Sequence, residues 1–188
     1  MNITTITGSR ALEEASSGLE DGETLRVLTL GDKLPSLLHV PAPISDLTTQ
    51  AFMIKKAGVD IDSATDLKKY KLVINRGVRH TLTIIQGLKN IHVLPSSSLL
   101  FAFLSPGRAD LGLTGRLNGL SLIKASGIKN VGLIGQSLSV LTLYHYIHEE
   151  HEEHEEHKEH KELVPTIDAI VKAIVDSVEM TKPRAKYE

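Results

Sequence analysis

The sequence predicts an α/β fold in which a mostly parallel sheet is covered by helices on both faces. Three observations carry that reading. Short apolar runs recur through the centre of the chain: "KLVIN" (71–75), "IHVLP" (91–95), "ADLGLTG" (109–115) and "VGLIG" (131–135). Between them lie segments with apolar residues at helical spacing: "HTLTIIQGLK" (80–89), "SSLLFAFLSPG" (97–107) and "RLNGLSLIKASG" (116–127). Gly and Pro mark the boundaries, with Gly127 placed as a helix C-cap. Apolar runs alternating with helices make βαβ units, and runs this apolar are strands buried on both faces.

The flanking elements follow in order. "ITTIT" reads as a strand, "SRALEEASSG" as a helix ending at Gly18, and "ETLRVLTL" as a strand. "SLLHVPAPI" is an extended segment interrupted by two prolines, which suit an edge or an irregular stretch. "QAFMIKKAG" is a second strand, crossing towards the central series. "SATDLKKYK" begins a helix with Ser63 as its cap. Beyond Ser137, "VLTLYHYIH" is rich in strand formers, and "LVPTIDAIVKAIVDSVEM" closes the chain as a helix.

Composition excludes several function classes. The 188 residues carry a net charge of −2, so there is no basic footprint for DNA or RNA. Aromatics are 4% with no Trp, which removes a stacking platform for single strands. There is no Cys, hence no disulfide and no thiolate metal site. The longest apolar run, "LLFAFL" (99–104), is too short to cross a bilayer, and no membrane insertion is expected. "MNITTITGSRALEEASSG" has neither a basic n-region nor an apolar h-region and is not read as a signal peptide. No Gly-x-Ser-x-Gly, P-loop or Gly-x-Gly-x-x-Gly is present, and the lone histidines have no evident carboxylate to orient them, so no enzyme is expected.

The most conspicuous stretch is "HEEHEEHEEHKEHKEL" (148–163). Six histidines stand at every third position from His145 to His160. Residues 149–162 hold eight Glu and two Lys, a local charge of −6, so the repeat hides a body of charge +4. On a helix a three-residue step advances about 300°, so successive histidines drift around the axis and form no single ligand face. Pairs such as His148 with Glu152 would grip Zn or Ni only weakly. The strict triplet period reads as a tandem expansion that extends the last helix, inserted at 148–162, and neither a metal centre nor any other cofactor is expected.

One resemblance covers most of the chain, from about Ser9 to Ile174. It rests on the ordered segments "SGLEDGETLR", "LLHVPAPI", "DLKKYKLVINRGVRHT", "LLFAFLSPGRADLGLTGR", "SGIKNV", "LTLYHYIHEEH" and "ELVPTIDAIVKAI". Together they resemble the bacterial extracellular solute-binding proteins of family 3, the periplasmic components related to polar amino-acid ABC transporters. The resemblance implies a two-lobe type II periplasmic-binding-protein-like fold that closes on a small ligand. Residues 1–52 and 139–188 would form the first lobe with the C-terminal helix, and 53–138 the second. It implies non-catalytic binding of a small polar, anionic or zwitterionic, amino-acid-like solute, for delivery to a membrane permease or reading by a sensor. The alternative is a truncated, non-binding relative. The implied location is the periplasm. The family carries an export signal and one more strand-helix unit ahead of this region, so the first lobe is expected to be incomplete. Its amino-acid binders also hold the ligand ammonium with an acidic residue where this chain has Gly115.

The best site candidate is "INRGVRHT". A strand runs into Arg76-Gly77, and a helix starts near Val78. Free N–H groups at a helix start suit a carboxylate or phosphate, Gly77 allows close approach, and Arg76 or Arg79 could add a bidentate clamp. In the resembling family the turn after this Gly holds the ligand carboxylate. His80 stands beside the two arginines as a possible contact. The competing reading is a plain strand-to-helix turn with surface arginines. Arg116 follows Gly115 at the carboxyl end of a strand, where α/β crevices bind ligands; a rim salt bridge fits it equally. Arg26 of "DGETLR" would face the cleft from the first lobe, or solvent. Asp110 more naturally fixes the preceding turn than touches ligand.

Overall fold

The computed structural model describes residues 8–55, 58–76, 78–149 and 160–177. The chain divides into two units, one made of Met1–Asp46 with Leu141–Lys182 and the other of Leu47–Val140 with Pro183–Glu188. The sheet is mixed. Its strands are β1 (Gly22–Val27), β2 (Leu37–Ile54), β3 (Leu72–Asn75), β4 (Ile91–Leu94), β5 (Leu111–Gly115) and β6 (Val131–His148), in the order β1-β6-β2-β5-β3-β4. The helices are α1 (Gly8–Ser16), α2 (Arg79–Ile84), α3 (Ser97–Leu104), α4 (Arg116–Ser126) and α5 (Val164–Val175).

The second unit holds the βαβ series. β3 pairs in parallel with β4, Leu72 opposite Ile91, and with β5, Leu72 opposite Leu111. The carboxyl half of β2 closes the other side of β5 in antiparallel, with Thr49 opposite Gly115. Both faces of the sheet are buried. Ala51, Leu72, Ile74, Leu111 and Leu113 pack on one side with Leu67 and Ile85, while Phe52 and Val73 pack on the other with Leu100, Phe101 and Leu104. Alternation along β3 is the period-two rule at work. α4 lies hard against Phe52: a Cβ at Gly119 would come within 2.2 Å of the Phe52 ring, so only glycine fits. The same helix ends at Gly127 in the left-handed region (φ 68°), as the sequence predicts.

In the first unit β1 pairs with β6 in antiparallel, Gly22 opposite Ile147 and Val27 opposite Leu143. The register shifts between Glu23 and Arg26, where Leu25 takes a positive φ of 60°, the mark of a bulge. A small core of Ala15, Leu37 and Tyr146 lies within this unit.

Several elements differ from their sequence reading. "SLLHVPAPI" and "QAFMIKKAG" are parts of one strand, β2, and "VGLIG" and "VLTLYHYIH" are parts of another, β6; each is eighteen residues long. The Pro-Ala-Pro stretch is accommodated because the ladder with β5 begins only at Thr49. The Ala42 N–H between the prolines is instead taken by the Asp168 carboxylate of α5 at 2.6 Å. The helix after Ser63 is a 3-10 helix, Ala64–Lys69, with Ser63 and Asp66 forming the capping box. The end of "ETLRVLTL" is a 3-10 turn, Leu28–Leu30, and α2 stops at Ile84. The strand read in "ITTIT", and residues 150–159 of the triplet repeat with the helical extension expected there, lie outside the described residues.

Candidate functional site

The candidate residues of the second unit converge at the carboxyl edge of its parallel strands. β3 delivers Asn75 and Arg76, and β5 delivers Thr114, Gly115 and then Arg116 as the first residue of α4. β3 and β5 are parallel neighbours, Leu72 opposite Leu111 and Val73 opposite Gly112, so Arg76 and Gly115 both stand at the carboxyl ends of adjacent strands. Val78, Arg79 and His80 open α2 just beyond β3. Gly77, between them, lies outside the described residues.

His80 is fixed from beneath. Its Nδ1 is 2.7 Å from Oγ1 of Thr49, the β2 residue opposite Gly115. Ser139 donates its hydroxyl to the same Thr49 oxygen at 3.0 Å. Thr49 is fully buried, so its own proton needs an acceptor, and the Nδ1 of His80 is the one its described contacts provide. The relay runs Ser139 to Thr49 to His80 and sets the tautomer that carries its proton on Nε2. Burial holds the His80 imidazole below the usual histidine range, so it is a neutral donor at neutral pH.

The three arginines of this edge are solvent-accessible, Arg76 and Arg79 exposed and Arg116 half-buried. Among the described residues none of these guanidinium groups has a hydrogen bond or ion pair. Asn75 is 2% exposed; its Nδ2 donates to the Ser97 hydroxyl at 2.6 Å, and its Oδ1 is buried with no hydrogen-bond partner among the described residues.

Other expectations fall elsewhere. Arg26 belongs to the first unit, where the Glu23 carboxylate grips it through two nitrogens. Arg108 stacks over the Phe103 ring at 5.8 Å. Asp110 accepts the Lys71 N–H at 2.7 Å and ties the amino ends of β3 and β5, a cross-strand contact rather than a bond to the turn that precedes it. The anion argument from the helix start is weakened: α2 has six residues, less than two turns, and its Val78 cap makes no side-chain bond. The case for an anion therefore rests on the guanidinium groups. Thr49, Asn75 and Ser139 escaped the sequence reading. The signal for Thr49 was a polar "TTQ" inside a strand; Asn75 was marked only by ending one.

No family model matches the chain, and no curated protein matches it in sequence. Solved structures do match. One is an ancestral cationic amino acid solute-binding protein, with a TM-score of 0.72 at 16% identity, over 98% of this chain and 76% of that one. A second is a histidine kinase sensor domain with similarity to periplasmic binding proteins, 0.66 at 16%, over 96% and 75%. A third is holo ArgBP from T. maritima, 0.65 at 12%, over 100% and 78%. At these identities the likeness defines the fold: a two-lobe, periplasmic-binding-protein-like α/β fold. About a quarter of each of those chains has no counterpart here. Among the described residues no helix is long and apolar enough to cross a membrane.

Proposed function

We propose that this chain is a non-catalytic binder of a small polar solute, anionic or zwitterionic, acting in transport or sensing at the periplasmic side of a membrane. The observation that supports this best is the cluster at the carboxyl edge of β3 and β5. Among the described residues Arg76, Arg79 and Arg116 have no carboxylate partner there, and the neutral His80 donor is held by Thr49. Guanidinium forks left unpaired at a crevice-forming sheet edge are suited to bidentate capture of an oxyanion. The structures it resembles are described as binding proteins and as a sensor domain, which favours a permease or a sensor as the partner. Arg76, Val78, Arg79, His80 and Arg116 are the proposed ligand contacts, with Gly77 between them; Arg26, engaged by Glu23, is a secondary candidate.

A second reading is a non-binding relative in which the fold persists without a complete site. It is favoured by the quarter of the solved chains that has no counterpart here. A thermal-shift screen over a broad library of amino acids, organic acids, sugars and phosphates separates the two. A bound solute at 100 times its Kd stabilises by about 2.7 kcal/mol and raises the melting temperature. The binding reading expects at least one such solute, with the shift lost in Arg79→Ala. A flat screen at millimolar concentrations favours the non-binding relative.

A further inference from the structure

The second unit is strongly basic. Residues 47–140 contain twelve Lys and Arg, no Glu and only four Asp, a net charge of +8. Two of the four acids are engaged through their carboxylates near the start of β3. Asp110 binds the Lys71 N–H just before β3. Asp66 accepts the Ser63 N–H and pairs with Lys69, and it also takes the Asp62 N–H. Asp60 is joined through its backbone to the Tyr70 hydroxyl. The carboxyl edge, by contrast, offers donors: three guanidinium groups and the Nε2–H of His80. Its one orphan acceptor, Asn75 Oδ1, is uncharged and buried.

We infer that the ligand of this edge is a small multivalent oxyanion without an ammonium group, a dicarboxylate or a phosphate ester rather than an amino acid. The inference rests on the binding function proposed above and narrows its chemistry. Three fixed cations reward a ligand that brings two negative charges, since each oxyanion group can take its own guanidinium fork. An ammonium placed among them would meet like charge, with no carboxylate to compensate its lost hydration. Position 115 shows that the site is open to the alternative. A Cβ there would meet nothing nearer than 3.4 Å, so the backbone itself does not demand glycine, yet the residue is Gly.

Calorimetry on the full chain tests this, with succinate, inorganic phosphate, glutamate, glutamine and arginine titrated near neutral pH at matched chloride. Succinate or phosphate is expected to bind at least about tenfold more tightly than any of the three amino acids. Which of the two wins identifies a carboxylate or a phosphate ligand. Arg76→Ala and Arg116→Ala should each weaken that binding by about tenfold or more. Gly115→Asp should weaken it at least as much while the melting temperature holds, because Asp is a good N-cap for α4. Tighter binding of glutamine or arginine overturns the inference while the chain remains a solute binder. No heat from any probe overturns both. Dianion binding that survives both arginine substitutions, or that chloride competes away, overturns the assignment of the site.

Discussion

The two units are built on different balances. The second buries both faces of its sheet, with Phe52, Ile74, Leu100, Leu104, Leu111 and Leu113 all essentially inaccessible. The first has a core cluster of three buried residues, Ala15, Leu37 and Tyr146, and leaves Leu19, Leu28 and Ile170 more than half exposed. Polar ties contribute much of its cohesion. The Tyr146 hydroxyl donates towards the Leu28 carbonyl at 2.7 Å, Asp168 holds the Ala42 N–H, and the Ser36 hydroxyl donates to the Ser16 carbonyl at 3.2 Å. Charge follows the same division: +8 for residues 47–140 against −11 for Met1–Asp46 with Leu141–Lys182. Apolar burial is indifferent to pH and to single polar deletions, whereas a network of hydrogen bonds is not.

The sharpest way to break this contrast is to cut each core. Phe52 meets Phe101 edge-on at 5.2 Å and supports α4 through Gly119. Phe52→Ala should destabilise by about 3–5 kcal/mol, read from urea denaturation. Leu37→Ala in the thinner core should lie near the lower end of the range for such truncations, about 2 kcal/mol. Equal losses, or a larger one at Leu37, would show that the first unit is packed as firmly as the second.

A smaller effect probes the polar ties. Tyr146→Phe keeps the ring and removes the hydroxyl that reaches the Leu28 and Val27 carbonyls. The expected loss is about 1–2 kcal/mol, with faster amide exchange along β1 and little change along β3 and β5. Uniform acceleration across both units would mean that they open as one.

Acid should act next, and more on the same unit, which holds two such imidazoles against the single His80 of the second. Burial holds the imidazoles of His39 and His145 below the usual histidine range, with Asp168 partly opposing this at His39. His39 lies edge-on to Tyr144 at 4.7 Å and near Tyr146, and its Nε2 is buried with no hydrogen-bond partner among the described residues. The unfolded chain takes up these protons near pH 6.5, while the folded unit resists them until its lower values are reached. The stability tied to the neutral rings is complete above about pH 6.5 and declines as pH falls from there. Asp168, held below its ordinary 3.8 chiefly by Lys172, keeps its contribution until pH falls past that value. Exchange measured across the histidine range should show β1 and β6 loosening more than β3 and β5, and His39→Phe should reduce the dependence. A stability that rises on acidification would reverse the sign argued here.

Much of the second unit was legible because its strands are short, apolar and separated by helices, so periodicity and Gly punctuation agree. Arg76, Arg79 and Arg116 were legible as site candidates because they follow strands at the edge where crevices form. The register that sets Thr49 opposite Gly115 was not, since a long antiparallel strand arriving from the other unit leaves no local signature. β2 was hidden by Pro41 and Pro43, and its continuity depends on Asp168, 126 positions away from Ala42. β6 was hidden by Gly135, whose positive φ of 64° bends the strand where Gln50 Nε2 reaches the carbonyls of Ile134, Gly135 and Gln136.

The smallest effect is expected from the most conspicuous sequence. Glu149 donates its N–H to the Ser36 carbonyl at 2.9 Å. His160 donates its own N–H to the Glu149 carbonyl at 3.2 Å, and its Nδ1 lies 2.9 Å from the His148 carbonyl. Residues 150–159 thus begin and end at one hydrogen-bonded point. If they are replaced by Asn-Gly, the His160-to-Glu149 bond becomes the i-to-i+3 bond of a two-residue turn, a geometry that Asn-Gly favours. The exchange removes six Glu, one Lys and three His, and shortens the segment between Glu149 and His160 from ten residues to two. A shorter connection closes at lower entropic cost, and removing six carboxylates lessens like-charge repulsion at low salt. Folding and solute binding should be retained, and any Zn or Ni affinity, weak in the intact chain, should fall further with the three histidines. A variant destabilised by several kcal/mol, or an intact chain that keeps stoichiometric metal through dialysis and loses solute binding when stripped, would make the repeat a structural or metal-binding element rather than an insertion.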